Sequence, residues 1–243
     1  MKRCFHRALW GKYDNSNRLL ARRERCDNWI KKIINHQYVH EFQTYVFGND
    51  NYKHLEDLGV TNLTLVDSNC APFDLNTEQY RHKLEAIKCC FDQGYEEVQH
   101  LDWDCIPQKA MDEEYWTIMG QGNVLQANLQ QYRRIKCGWR RKYSQDIRKV
   151  PNGGMFYLRG AEHIDGVIKC WESLRGPSCE PPMGLYVEEL MGGKWTGVED
   201  YWTQGFEAMT CDLHRNSCYS KEFREKHQKD LRHKSLFFRH YQG

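Results

Sequence analysis

Two aspartates separated by one tryptophan, Asp102-Trp103-Asp104, are the acidic pair with the clearest chemical use. They follow Glu97-Val98-Gln99-His100-Leu101, a run that reads as a strand, and a helix-like segment from Arg81 to Gln93 precedes that run. Residues i and i+2 of an extended segment point to the same side. The spacing therefore predicts that both carboxylates project together at a strand's C-terminal end, where open α/β sheets bind ligands. Two carboxylates there can hold a hard divalent cation, Mg²⁺ or Mn²⁺, and the cation can hold a diphosphate. On its own so short a motif is more often two solvated acids in a loop.

Three further groups carry suitable chemistry. Asn152-Gly153-Gly154 leads into an apolar strand, Met155 to Leu158, although alone it is as readily a plain turn. Val198-Glu199-Asp200 opens a helical segment, where acids also suit the helix dipole. His240 lies in Arg239-His240-Tyr241-Gln242-Gly243; alone, an exposed terminal histidine is the plainer reading. Cys211, His214 and Cys218 offer three zinc ligands, but no fourth is evident and no C-x-x-C occurs. Ordinary thiols are the better reading there.

The elements that must position these groups alternate. Cys4 to Trp10 reads as a strand, and Arg18 to Ile34 as a helix with Leu19, Leu20, Trp29, Ile30, Ile33 and Ile34 apolar. Phe42 to Phe47 is β-rich and closed by Gly48-Asn49-Asp50. Tyr52 to Leu58 is a short helix ended by Gly59, Leu63 to Val66 a third strand, Arg81 to Gln93 a helix ended by Gly94, and Glu97 to Leu101 the fourth strand. Strands alternating with helices predict βαβ units and a parallel sheet. Beyond Asp104 the pattern is mixed. Val124 to Leu129 and Met155 to Leu158 read as strands, Ala161 to Leu174 as a helix, and Arg175 to Met183 as a proline-containing loop. Val187 to Met191 and Asp200 to Met209 read as helical, and Phe237 to Tyr241 as a short strand or turn.

In their order along the chain, the four groups resemble the GT-A-fold nucleotide-sugar glycosyltransferases. That family carries a D-x-D, a glycine-containing loop, an x-E-D and a C-terminal metal-binding histidine. Asn152-Gly153-Gly154-Met155 is also similar to the N-x-G stretch of glycogenin-like and bacterial galactosyltransferase-like members. The resemblance spans most of the chain in short motifs whose order is more specific than any one of them. It implies an α/β fold: a single GT-A-like (Rossmann-like) domain, 1–243, with a mixed central sheet flanked by helices. Residues 1–105 would be the nucleotide-binding half and 106–243 the acceptor-binding half.

The resemblance implies an enzyme that moves a hexosyl or pentosyl unit from a nucleotide-sugar, a UDP-sugar first, to an acceptor hydroxyl. Mn²⁺ or Mg²⁺ on Asp102, Asp104 and His240 would neutralise the departing diphosphate, and an imidazole ligand favours Mn²⁺. Trp103 joins the donor site, with Tyr13, Asp14 and Asp67 near the nucleoside, in loops after the first and third strands. Arg81 and Lys83 are phosphate candidates, although a solvated helix face is the plainer reading of either. Asn152, Gly153 and Gly154 would bring backbone close to the donor sugar. Glu199 and Asp200 would face the acceptor, Asp200 being the preferred general base of an inverting reaction. Only three residues follow His240, fewer than the family's usual tail.

Composition sets the remaining bounds. The 243 residues, 40% hydrophobic and 28% charged, suit a globular protein with a sizeable core. Mean hydropathy is −0.84, and no apolar run approaches membrane-spanning length. The eleven cysteines are odd in number and scattered, and no apolar signal core follows Met1. These features lead us to expect reduced thiols and a cytoplasmic protein, in the host cytoplasm if viral.

The net charge of +2 is unevenly spread. Arg133, Arg134, Lys136, Arg140, Arg141, Lys142, Arg148 and Lys149 are interleaved with Tyr132, Trp139 and Tyr143. A solvated face is the ordinary meaning of such a cluster. Beside an acidic metal site it also suits a polyanion, with Trp139, Arg140, Arg141 and Lys142 as acceptor-binding candidates. Viral enzymes that glycosylate hydroxymethylated pyrimidines in DNA need such a surface and access to a flipped base. Saccharide or protein acceptors compete with that expectation. A metal-dependent nucleotidyltransferase would want a glycine-rich signature near the first strand, which Leu9-Trp10-Gly11-Lys12 is not. A non-catalytic nucleic-acid-binding module would not need the ordered acidic motifs.

Overall fold

The computed structural model describes residues 1–12, 17–34, 42–70, 80–108, 112–131, 149–174, 179–193, 210–212 and 238–240. The strands are β1 (Arg3–Leu9), β2 (Phe42–Phe47), β3 (Leu63–Asp67), β4 (Glu97–Leu101), β5 (Cys105–Pro107), β6 (Leu125–Gln131), β7 (Lys149–Arg159), β8 (Thr210–Asp212) and β9 (Phe238–His240). The helices are α1 (Asn17–Ile34), α2 (Asn49–Asp57), α3 (Arg81–Asp92), α4 (Glu113–Gln121), α5 (Ala161–Leu174) and α6 (Glu180–Leu190).

Six strands form one sheet in the order β3-β2-β1-β4-β7-β6. The first four of these are mutually parallel, and β7 runs antiparallel to both β4 and β6. The sheet is therefore mixed, with helices packed on it, as expected. Chain order reverses direction at β1, whose neighbours are β2 and β4. The crevice beyond the C-terminal ends of β1 and β4 is the topological switch point, where open sheets bind ligands. A second sheet, β5-β9-β8, joins β5, just past β4 in sequence, to the two last strands of the chain's described residues.

Side chains alternate across β1 and divide the core. Cys4 and Ala8 pack with Leu84, Ile87, Val98, Phe156 and Val187. Phe5 turns to the other face, with Leu101, Tyr115, Trp116 and Tyr157. Leu9 joins Ile30, Ile33, Val46 and Leu55 there. Both faces of β1 and β4 are covered, as parallel strands require. Each fully buried Leu or Ile, such as Leu84 and Ile87, contributes about 1.5–3 kcal/mol. Residues of 1–105 and of 106–243 share one of these cores, since Leu84 and Val98 meet Phe156 and Val187.

Local chemistry explains the ends. Gly59 and Gly94 follow α2 and α3 with φ of +83° and +82°, a conformation that side chains disfavour. Asp112 caps α4 by accepting from Glu114 N at 3.1 Å. The stretch expected as a loop, Arg175 to Met183, is corrected at its end: α6 starts at Glu180. Pro181 and Pro182 occupy its first turn, where a missing N–H breaks no helical bond. α4, β5 and β8 were not expected from the sequence. No helix among the described residues is long and apolar enough to cross a membrane.

Candidate active site

β4 ends at Leu101, and Asp102 opens a turn. The Cys105 amide donates to the Asp102 carbonyl at 3.0 Å, so the three motif residues are not extended. The expected strand-like, same-side projection of Asp102 and Asp104 is corrected accordingly. Both carboxylates are partly exposed at the C-terminal edge of β4. Trp103 does not face the donor crevice. It is 9% exposed, its Nε1 donates to the Ala8 carbonyl at 3.0 Å, and it packs among Leu9, Ile30, Ile33 and Ile106. The indole is the anchor that pins the turn beneath β1.

Two cationic or polar groups from below hold Asp102. Lys83 Nζ lies 2.8 Å and His100 Nε2 3.0 Å from the same oxygen, Oδ1. Lys83 is 1% exposed and also donates to the Gly153 carbonyl at 2.6 Å. Burial pushes the Asp102 carboxyl up, but Lys83 and the His100 hydrogen bond outweigh it and hold it well below the usual carboxylate range. Burial likewise opposes the Lys83 charge, and Asp102 more than restores it. Both partners are charged.

Behind Asp102 stands a histidine pair. His100 Nδ1 lies 2.9 Å from His6 Nδ1, and both rings are buried. Burial, then the Lys83 cation, pushes His100 down to about 4, so it is neutral near pH 7. A carboxylate only accepts, so the His100 proton sits on Nε2. Nδ1 then accepts, and His6 must donate from its own Nδ1. That tautomer leaves His6 Nε2 an acceptor, and it finds no partner among the described residues.

The glycine motif meets this turn edge-on. It lies inside β7, not in a loop before a strand. The Asp102 amide donates to the Gly154 carbonyl at 2.7 Å. Asn152 is 2% exposed and its Oδ1 accepts from Gly154 N at 2.8 Å, shaping the backbone from within. A Cβ on Gly153 would stand 2.7 Å from Cys179 Sγ, which explains the glycine: β7 touches the start of α6 there.

Other expected residues fall elsewhere. Asp67 ends β3, is exposed, and accepts from Asn69 N at 2.8 Å. Beside it, a cavity of about 310 Å³ opens at the C-terminal ends of β1, β2 and β3, lined by Lys12, Arg23, Asp50, Asn51 and Ser68. Asn51 joins β1 to β2 there, donating to the Gly11 and Phe47 carbonyls at 2.8 and 2.7 Å. Arg81 turns away, pairing with Glu85 at 2.7 Å and Glu172 at 3.3 Å. Lys83 is the α3 cation that reaches the turn. Its signal was present: it shares the buried stripe of α3 with Leu84, Ile87, Cys90 and Phe91.

The small sheet supplies one long-range link. β9 pairs antiparallel with β5 and places His240 opposite Cys105, next to Asp104 in sequence. β8 flanks it, with Asp212 opposite His240. Tyr13, Asp14, Trp139, Arg140, Arg141, Lys142, Glu199 and Asp200 lie outside the described residues. So do His214 and Cys218, while Cys211 lies in β8. Among the described residues no group of three metal-ligating side chains is assembled.

With this geometry in place, solved structures show what the fold is similar to. The apo structure of WbbM, a bifunctional glycosyltransferase, superposes over 100% of this chain with a TM-score of 0.52 and 11% identity. The fold is GT-A-like. The chain spans only 46% of that WbbM chain. The galactosyltransferase LgtC, solved with donor and acceptor sugar analogues, matches 98% of this chain and 86% of its own, with a TM-score of 0.49 and 11% identity. The apo-form glycosyltransferase GlyE of Streptococcus pneumoniae TIGR4 matches 99% of this chain and 54% of its own, at 0.45 and 15%. No family model and no curated protein matches the chain.

Proposed function

We propose that this chain is a metal-dependent glycosyltransferase that moves a sugar from a nucleoside-diphosphate donor, a UDP-sugar first, to an acceptor hydroxyl. The observation that carries this reading is the meeting of the two motifs. Asp102 and Asp104 sit at the C-terminal edge of β4, and the Asn152-Gly153-Gly154 backbone closes on Asp102 through Lys83 and the Asp102 amide. Solvent access to Asp102, 36% for its side chain, fits a cation there. Lys83 and His100 both address Oδ1, and among the described residues Oδ2 accepts no hydrogen bond. Two carboxylates and the imidazole of His240 are a donor set that suits Mn²⁺ or Mg²⁺. Such an ion, when bound, would offset the charge of the diphosphate.

The chain's own residues then divide the work. The cavity at the ends of β1 to β3 takes the nucleoside, with Asp67 at its margin; Tyr13 joins it as a candidate on sequence position alone. Lys83 fixes Asp102 and the Gly153 carbonyl in one geometry, so the donor meets a preorganised wall. Asp200, beside Glu199, takes the acceptor proton as general base.

The finer reading concerns the acceptor. The basic and aromatic run from Tyr132 to Lys149 supports a polyanionic one, a hydroxymethylated pyrimidine in DNA. A reduced-thiol, cytoplasmic setting accords with it.

Donor hydrolysis over a panel of nucleotide-sugars in Mn²⁺ tests the reaction class. We expect the wild type to release nucleoside diphosphate from one of them, and Asp104→Asn to lose that activity and the Mn²⁺ dependence of donor binding. Equal donor binding by mutant and wild type in Mn²⁺ would remove Asp104 from the site. No turnover of any nucleotide-sugar, with or without DNA or saccharide acceptors, would overturn the reaction.

A further inference from the structure

Asp102 offers its two carboxylate oxygens unequally. Lys83 Nζ and His100 Nε2 both approach Oδ1, at 2.8 and 3.0 Å. A carboxylate oxygen has about two lone-pair sites, so these two donors fill Oδ1. Among the described residues no donor reaches Oδ2, and the side chain is 36% exposed.

Neither donor is free to withdraw. Lys83 is 1% exposed, rises from the buried stripe of α3, and also donates to the Gly153 carbonyl at 2.6 Å. His100 is equally buried in β4, and its Nδ1 meets His6 Nδ1 at 2.9 Å. The Asp102 backbone is fixed as well, because its amide donates to the Gly154 carbonyl at 2.7 Å. Breaking these bonds strands buried polar groups, at about 1–3 kcal/mol each. The carboxylate is therefore preorganised to meet a cation from the Oδ2 side.

We propose that Lys83 and His100 are positioning residues that set the metal selectivity of this site: by filling Oδ1 they make Asp102 a one-oxygen ligand, which admits Mn²⁺ or Mg²⁺ and disfavours Ca²⁺. The inference rests on the metal reading given above. Ca²⁺ is large, gathers about 6–8 oxygens and commonly takes both oxygens of a carboxylate, whereas the smaller Mg²⁺ keeps about six ligands in an octahedron. A two-oxygen grip on Asp102 would also press the ion against the Lys83 ammonium, which carries the same sign of charge. Groups that hold a ligand from behind in this way tune what the ligand binds.

Electron paramagnetic resonance of Mn²⁺ titrated into the full chain, with Ca²⁺ as competitor and no nucleotide present, tests this without any turnover. We expect the wild type to bind Mn²⁺ about tenfold or more tighter than Ca²⁺. His100→Phe removes one donor and leaves the Lys83 charge in place; Lys83→Met removes the other donor. In each folded variant the preference for Mn²⁺ should fall by about threefold or more, because Oδ1 is then open to the ion. A wild type that binds both ions equally overturns the proposal. So does an unchanged preference in folded His100→Phe or Lys83→Met, and in either case the metal reading itself stands. No Mn²⁺ binding at millimolar concentration overturns the metal reading and this inference together.

Discussion

Lys83 Nζ lies 2.8 Å from Asp102 Oδ1, and the same ammonium donates to the Gly153 carbonyl. One buried cation thus joins two motifs that are far apart in the sequence. Breaking a buried ion pair by removing one member costs about 3–5 kcal/mol. Asp102 is 36% exposed, so water compensates part of the loss. We expect Lys83→Met to cost roughly 1–3 kcal/mol in urea unfolding, within that discounted range. A loss below about 0.5 kcal/mol, the size of an ordinary surface change, would show that the pair is not structural.

The histidine pair predicts a pH dependence. His100 falls from 6.5 to about 4, through burial first and Lys83 second. His6 moves the same way, through burial first and His100 next. Between these values the unfolded chain binds protons that the folded chain refuses, so stability rises with pH from 4 to 6.5. Each such imidazole steepens the slope by up to about 1.4 kcal/mol per pH unit inside the window. Asp102 contributes with the same sign only below 3.8, its ordinary value. Thermal midpoints of wild type and His100→Gln, taken at intervals from pH 4 to 6.5, should show the shallower dependence in the variant. Parallel curves would mean that His100 titrates normally.

Asp200→Asn should lower turnover by about 10²–10⁴-fold, the usual worth of general-base catalysis, with donor affinity little changed. Steady-state kinetics with the donor found by the hydrolysis panel gives both quantities. A product that retains the anomeric configuration would make a dedicated base unnecessary and remove Asp200 from the role.

If the acceptor is DNA, neutralising Arg140, Arg141 and Lys142 together should weaken duplex binding whatever its sequence. The salt dependence should flatten by about one unit of slope for each phosphate that the variant no longer neutralises. Trp139 would add stacking of about 1–3 kcal/mol on an unpaired base. Titrations of wild type and triple variant at two salt concentrations decide it. No duplex binding by the wild type at low salt would transfer the proposal to a saccharide acceptor.

The first half of the fold was legible because its signals are local. Leu84, Ile87 and Phe91 repeat at helical spacing, and Gly59 and Gly94 stop the helices they follow. β1 to β4 therefore stood out with their crossover helices, and with them the place of Asp102 at a strand end. The same periodicity put Lys83 on a buried stripe, but it did not name the anion that Lys83 meets. Only tertiary structure supplied Asp102 and the Gly153 carbonyl as partners.

Three decisions belonged to the folded chain. Trp103 went into the core because a large apolar ring with one donor is best placed where it is buried and hydrogen-bonded, and Ala8 offered its carbonyl. His6 and His100 were ordinary strand residues until parallel pairing set them side by side. His240 came opposite Cys105, the residue after Asp104, through the pairing of β5 with β9, two strands of three residues each, too short to mark themselves by alternation. Sequence periodicity states which face of an element is buried. Which distant group completes a buried charge or a hydrogen bond is fixed only when the elements pack, because that partner is chosen by space and not by spacing.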